Sequence, residues 1–315
     1  MPSASDATDG AVVTHREVVL PSIVSERRNP HYLHFWIDDF VSPHQDAQLR
    51  GEYPTELLKR RLGDRLSANL NFHDPSREVA EFLAQSPAWR AYYDAFKSPH
   101  WLLATVELFR SDFICRYPNW LRPLLGRRVL NVDNLEVTVA VSYSRRGFLL
   151  SPHSDDKYKV LTLIHYLPEK DGTETTGGTR FFLPKPEITR RSLRPFSEWS
   201  RGLRRFLPFF WLVPTTEASL VRRYEEGEAP DRKQRAEFDE SFVQGDYVEY
   251  RTNRMSGFVK NDWTLHEVDL SDFPPDQFRR AALVNIRLRP TRWSRLIPAI
   301  ERGLSQIKRR LIRVR

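Results

Sequence analysis

The residues best suited to chemistry in this chain are His153 and Asp155, in Ser151-Pro152-His153-Ser154-Asp155-Asp156, ten residues beyond Tyr143 and just ahead of a strand-like run. An imidazole and a carboxylate two residues apart at the end of a strand can turn to the same side and offer a nitrogen and an oxygen to one cation. A third donor has to come from elsewhere. His266, in Trp263-Thr264-Leu265-His266-Glu267-Val268, is the only histidine after His165, and it too sits in a strand-like setting. Two histidines and one carboxylate on one face of a first-row metal leave the opposite coordination positions open for reactants. The spacing alone does not single out a site, because His44-Gln45-Asp46 repeats it. There Ser42-Pro43 reads as an N-cap and first helical position, which puts His44 and Asp46 in the solvated first turn of a helix.

Strands of an antiparallel sandwich or barrel have to hold these residues. From Leu135 the apolar period is two, with Val137, Val139, Val141 and Tyr143 alternating with Glu136, Thr138, Ala140 and Ser142. Further strand-like runs cover 160–167, 179–183, 245–250, 255–259 and 281–288, joined by turns containing Gly, Pro and Asp. The preceding region, 21–134, is mostly helical by its three- to four-residue period, a support layer for the strands. Residues 1–20 read as a disordered polar tail without the apolar core of a secretory signal. Within the 135–290 strand domain, about 185–235 is an insertion in which Trp199, Phe206, Phe209, Phe210 and Trp211 lie among Arg201, Arg204 and Arg205.

Residues 135–290 resemble the Fe(II)/2-oxoglutarate-dependent dioxygenase superfamily, and most closely its prolyl-4-hydroxylase-like branch. The resemblance is carried by Tyr143, Gly147-Phe-Leu-Leu-Ser-Pro-His153-Ser-Asp155, Val160-Leu-Thr162-Leu-Ile-His-Tyr166-Leu-Pro, Gly177-Gly178-Thr-Arg-Phe-Phe, and His266 followed by Arg280-Ala-Ala-Leu-Val-Asn-Ile. It implies a mainly β fold with α, built on a double-stranded β-helix or jelly roll. It also implies Fe(II) held by His153, Asp155 and His266, and hydroxylation of a substrate C–H bond coupled to oxidative decarboxylation of 2-oxoglutarate by O₂, giving succinate and CO₂. Ascorbate stays open as an accessory. The family's basic residue for the far carboxylate of 2-oxoglutarate falls on Arg280 rather than Arg279, with Arg280, Ala282, Val284 and Ile286 on one strand face that is expected to look inward. Tyr143, Tyr166 and Thr162 match positions lining the same pocket. Two other readings stand beside this one: a catalytically silent jelly-roll binding module, and a peripheral membrane-associated protein.

The charge of +8 is concentrated at one end. Residues 291–315 hold eight basic side chains against Glu301 alone, which accounts for +7 and leaves +1 on the other 290 residues. This is not the charge pattern of a nucleic-acid-binding core. Trp293, Leu296, Ile297, Ile300, Leu304, Ile307, Leu311 and Val314 recur at helical steps, so 291–315 is expected to be a basic amphipathic helix that packs on the globule or touches an anionic membrane. One cysteine, Cys115, rules out an internal disulfide and leads to the expectation of a cytoplasmic protein, at most peripheral to a membrane. The substrate, whether small molecule, peptide, sugar or lipid headgroup, and the oligomeric state stay open.

Overall fold

The structure, a computed structural model, describes residues 31–115, 126–127, 129–156, 158–170, 173–188, 232–261 and 263–289. The expected N-terminal tail, most of the 185–235 insertion and the basic C-terminal helix lie outside the described residues. In chain order the elements are β1 (His34–Ile37), α1 (Pro43–Gly51), α2 (Thr55–Leu62), β2 (Ser67–Asn71), α3 (Arg77–Gln85), α4 (Pro87–Lys97), α5 (Pro99–Leu108) and α6 (Arg110–Cys115). After them come β3 (Leu135–Ser144), β4 (Leu149–His153), β5 (Lys159–Tyr166), β6 (Thr173–Pro184), α7 (Arg232–Ser241), β7 (Phe242–Arg251), β8 (Met255–Val259), β9 (Leu265–Asp269) and β10 (Arg279–Leu288).

The strands form two antiparallel sheets, one in the order β1-β8-β5-β10-β3-β2 and one in the order β4-β9-β6-β7. Face to face they make a jelly roll, whose interior is filled by Tyr166, Phe181, Val248, Tyr250, Phe258, Val268 and Ala281. Helices α1 to α6 cover the other face of the larger sheet, where Trp89, Phe96 and Phe113 join one core with Val139, Leu163 and Val284. Helix α7 lies behind the smaller sheet, with Phe238 against Phe182.

The support region is helical but also supplies β1 and β2, the two edges of the larger sheet. Pro54, at the N-cap of α2, separates α1 from α2. Ser42 caps α1 as expected, in a capping box with Gln45 and with Pro43 at the start. Asp46 is a correction: it is buried and bound to Arg50 Nε at 2.8 Å rather than solvated. The i,i+4 arginine reaches back over the turn and makes that burial tolerable. No described helix is long and apolar enough to cross a membrane.

Candidate metal centre

Strand β4 ends on His153, and its pairing with β9 sets His153 directly opposite His266. The two imidazole centroids are 4.3 Å apart. Two residues on, Asp155 takes φ = 62°, a left-handed conformation that aspartate tolerates better than most residues, so the chain doubles back at this point. The ligand atoms of His153, Asp155 and His266 all lie within 4.8 Å of one another, with His153 Nε2 3.6 Å from Asp155 Oδ1. Donors on one face of an octahedral ion at ~2.1 Å are about 3 Å apart, so small rotations close this set on one cation.

Both histidines are oriented by backbone carbonyls. His153 Nδ1 lies 2.9 Å from the Ser151 carbonyl and His266 Nδ1 3.4 Å from that of Thr264. Placing the ring protons on Nδ1, as these contacts require, leaves Nε2 of each ring as a lone-pair donor toward the cluster. Burial and the neighbouring His153 push the His266 pKa down to about 3, so this ring is neutral and competent to ligate. Burial alone would raise the Asp155 pKa, but the effects that outweigh it, the charge of Lys159 foremost, hold the carboxyl well below its usual range. Lys159 Nζ donates to Asp155 Oδ1 at 2.8 Å and Thr162 Oγ1 contacts Oδ2 at 2.9 Å.

From the metal cluster the interior runs along β5 and β10. Thr162, Ile164 and Tyr166 face inward from β5, opposite Asn285, Leu283 and Ala281 of β10. Thr162 and Tyr166 are four residues apart, about 13 Å along the strand. The residue that closes the far end is Arg279, not Arg280. Arg279 is 4% exposed, its Nε donates to the Gly177 carbonyl at 2.5 Å, and its guanidinium carbon lies 5.4 Å and 5.8 Å from the Tyr166 and Tyr250 ring centroids. Tyr166 Oη in turn shares a 2.6 Å hydrogen bond with Thr179. No carboxylate among the described residues pairs with Arg279.

Arg280 points the other way, into the helical layer, where it meets Glu169 at 2.9 Å and lies over the Tyr53 ring. Tyr143 goes with it, because β3 and β10 pair Tyr143 with Arg280 and residues opposite one another share a face. It stacks on Phe278 at 4.4 Å and is not part of the interior. The alternation that groups Arg280, Ala282, Val284 and Ile286 is correct, but that face belongs to the core under the helices. Of the expected site residues, then, His153, Asp155, His266, Thr162 and Tyr166 share the interior, while Arg280 and Tyr143 do not. The sequence named Arg279 as the competitor of Arg280 but favoured Arg280, and it did not single out Lys159 or Asn285. The one available signal was Asn285, a polar residue within the apolar run Ala281–Ile286 of β10.

The Gly177-Gly178 pair has a steric origin. A Cβ on Gly178 would lie 2.1 Å from the Val248 carbonyl, and Gly177 has φ = 84° with Phe273 2.6 Å from where its Cβ would stand. This close backbone approach sets the carbonyl that receives Arg279.

No protein-family model and no curated protein matches the sequence. Several solved structures are similar in fold. A prolyl-4-hydroxylase of Pseudomonas putida matches at 13% identity over 82% of this chain and 94% of that one, with a TM-score of 0.37. A prolyl hydroxylase of Trichoplax adhaerens, in complex with a hypoxia inducible factor peptide, matches at 10% identity over 81% and 83%, TM-score 0.35. The epimerase SnoN, in complex with Fe3+, alpha ketoglutarate and nogalamycin RO, matches at 12% identity over 82% and 79%, TM-score 0.37. Likenesses this distant say nothing of the reaction, and the function rests on the geometry of the site.

Proposed function

We propose that this protein is an Fe(II)- and 2-oxoglutarate-dependent oxygenase that hydroxylates an organic substrate. The observation that carries the reading is one interior with three metal-donor side chains at one end and, at the other, a buried guanidinium that no described carboxylate neutralises. A buried cation without a counter-charge costs several kcal/mol, and a dicarboxylate supplies that charge. Iron would be held by His153, Asp155 and His266; the distal carboxylate of 2-oxoglutarate would be held by Arg279, with Tyr166 beside it. Together, iron and cosubstrate would supply the oxidising power for inserting an oxygen atom into a C–H bond, with succinate and CO₂ as co-products.

The chain's own contribution is to bind and orient. The planar fork of Arg279 suits a carboxylate in two-point contact, and the Tyr166 and Tyr250 rings fix its plane. Phe181, Phe258 and Ile164 keep water from the interior. The presence of Asp155 supports hydroxylation, since all three protein donors are then available to the metal.

The test is succinate formation from 2-oxoglutarate by iron-loaded protein in air, with and without ascorbate. Turnover above that of chelator-treated protein, abolished by Asp155→Ala, is expected even before a substrate is found. A silent binding module would give no succinate under any of these conditions, and that result would overturn the proposal.

A further inference from the structure

Thr162 Oγ1 lies between two oxygens, 2.9 Å from Asp155 Oδ2 and 3.1 Å from the side-chain atom placed as Asn285 Oδ1. A threonine hydroxyl has one proton to give. Asp155 is paired with the Lys159 ammonium, whose Nζ lies 2.8 Å from Oδ1, so the side chain is a carboxylate and its oxygens can only accept. The proton of Thr162 therefore goes to Asp155, and the Asn285 group beside it has to be a donor. The two ends of an asparagine amide have the same shape, so the Asn285 amide is turned with its NH₂ toward Thr162. Thr162 is 4% and Asn285 9% exposed, and β5 and β10 set them directly opposite one another, which leaves little water to replace either bond.

We infer that Asn285 and Thr162 are positioning residues for the metal carboxylate: the Asn285 amide commits the Thr162 proton to Asp155 Oδ2 and so fixes the carboxylate rotation that turns Oδ1, held also by Lys159 at 2.8 Å, toward His153 and the metal cluster. The fold builds this line from β10 and β5 and delivers it to the left-handed turn after β4. Two neighbouring strands thus hold a carboxylate whose own backbone lies outside any strand. Thr162 accordingly works at the metal end of the interior and not as a contact for the far carboxylate of a cosubstrate.

The inference rests on the proposed metal site, and the test separates the two. Co(II) affinity is measured by absorbance titration of the full chain and of Thr162→Val, Thr162→Ser and Asn285→Leu, with melting of the metal-free proteins followed alongside. Thr162→Val keeps shape and β-branching but has no proton to give, and is expected to bind Co(II) roughly 10- to 100-fold more weakly, with the metal-free protein melting somewhat lower for the lost buried hydrogen bond. Thr162→Ser should stay within about threefold of the parent, and Asn285→Leu should lose roughly three- to tenfold. Absence of Co(II) binding by the parent would refute the metal site itself. A parent that binds, with Thr162→Val equally tight or Thr162→Ser as weak as Val, would overturn the positioning role. Should Thr162→Val fail to fold, parental affinity in Asn285→Leu would overturn it instead.

Discussion

Replacing Arg279 with methionine keeps a long apolar stem between Tyr166 and Tyr250 while deleting the guanidinium. In the structure that group has Gly177 as a carbonyl partner and two aromatic faces, and no carboxylate among the described residues pairs with it. Truncating one partner of a buried, hydrogen-bonded charge pair costs roughly 2–5 kcal/mol. At 1.4 kcal/mol per tenfold, the apparent KM for 2-oxoglutarate should rise by about 30-fold to several thousand-fold. Co(II) affinity should stay near the parental value, because Arg279 lies beyond Tyr166, at the end of the interior opposite Thr162 and Asp155. Lost packing is distinguished from lost charge by a 2-oxo acid that lacks the second carboxylate. The parent should discriminate strongly against it and Arg279→Met should not. Arg280→Met is the control: it breaks a contact with the half-exposed Glu169, worth about 1 kcal/mol of stability after solvent screening, and leaves KM alone. If Arg280→Met raised KM and Arg279→Met did not, the inward and outward faces of β10 would be exchanged and the assignment of the pocket would be wrong.

Two further outcomes come from packing and from a buried histidine. Gly178→Ala sets a methyl 2.1 Å from the Val248 carbonyl, backbone that cannot step aside, so it should destabilise by roughly 1–3 kcal/mol; an unchanged urea midpoint would show that β6 and β7 do not approach this closely. His165 is fully buried beside Phe40, with Nδ1 3.4 Å from Tyr92 Oη and Nε2 3.3 Å from Asn253 Oδ1, and burial lowers its pKa from 6.5 to about 4. The unfolded chain therefore takes up the proton first, so this contribution is intact above pH 6.5 and is lost as pH falls toward 4, with about 2 kcal/mol gone by pH 5. His165→Gln should flatten the urea midpoint against pH over that range, and identical slopes for the two proteins would refute it.

The difference between Arg279 and Arg280 shows where reading this sequence stops. A period of two divides β10 into Arg280, Ala282, Val284, Ile286 and Arg279, Ala281, Leu283, Asn285, and the structure keeps that division. It does not say which set faces the second sheet, because β10 is a central strand covered by helices on one face and by strands on the other. Both sets therefore begin with an arginine and continue with apolar residues, Asn285 excepted. What fixes the orientation is pairing. Once Thr162 and Tyr166 are taken as inward, the antiparallel register that sets them opposite Asn285 and Ala281 carries the odd-numbered face inward and Arg279 with it. The register depends on contacts between residues 123 positions apart, which no local pattern encodes. The metal donors were legible for the opposite reason. His153 and Asp155 are local neighbours in a polar turn between apolar runs, and His266 had no rival histidine downstream. The edge strands β1 and β2 went unseen because four- and five-residue strands embedded among helices are too short to show a period of their own.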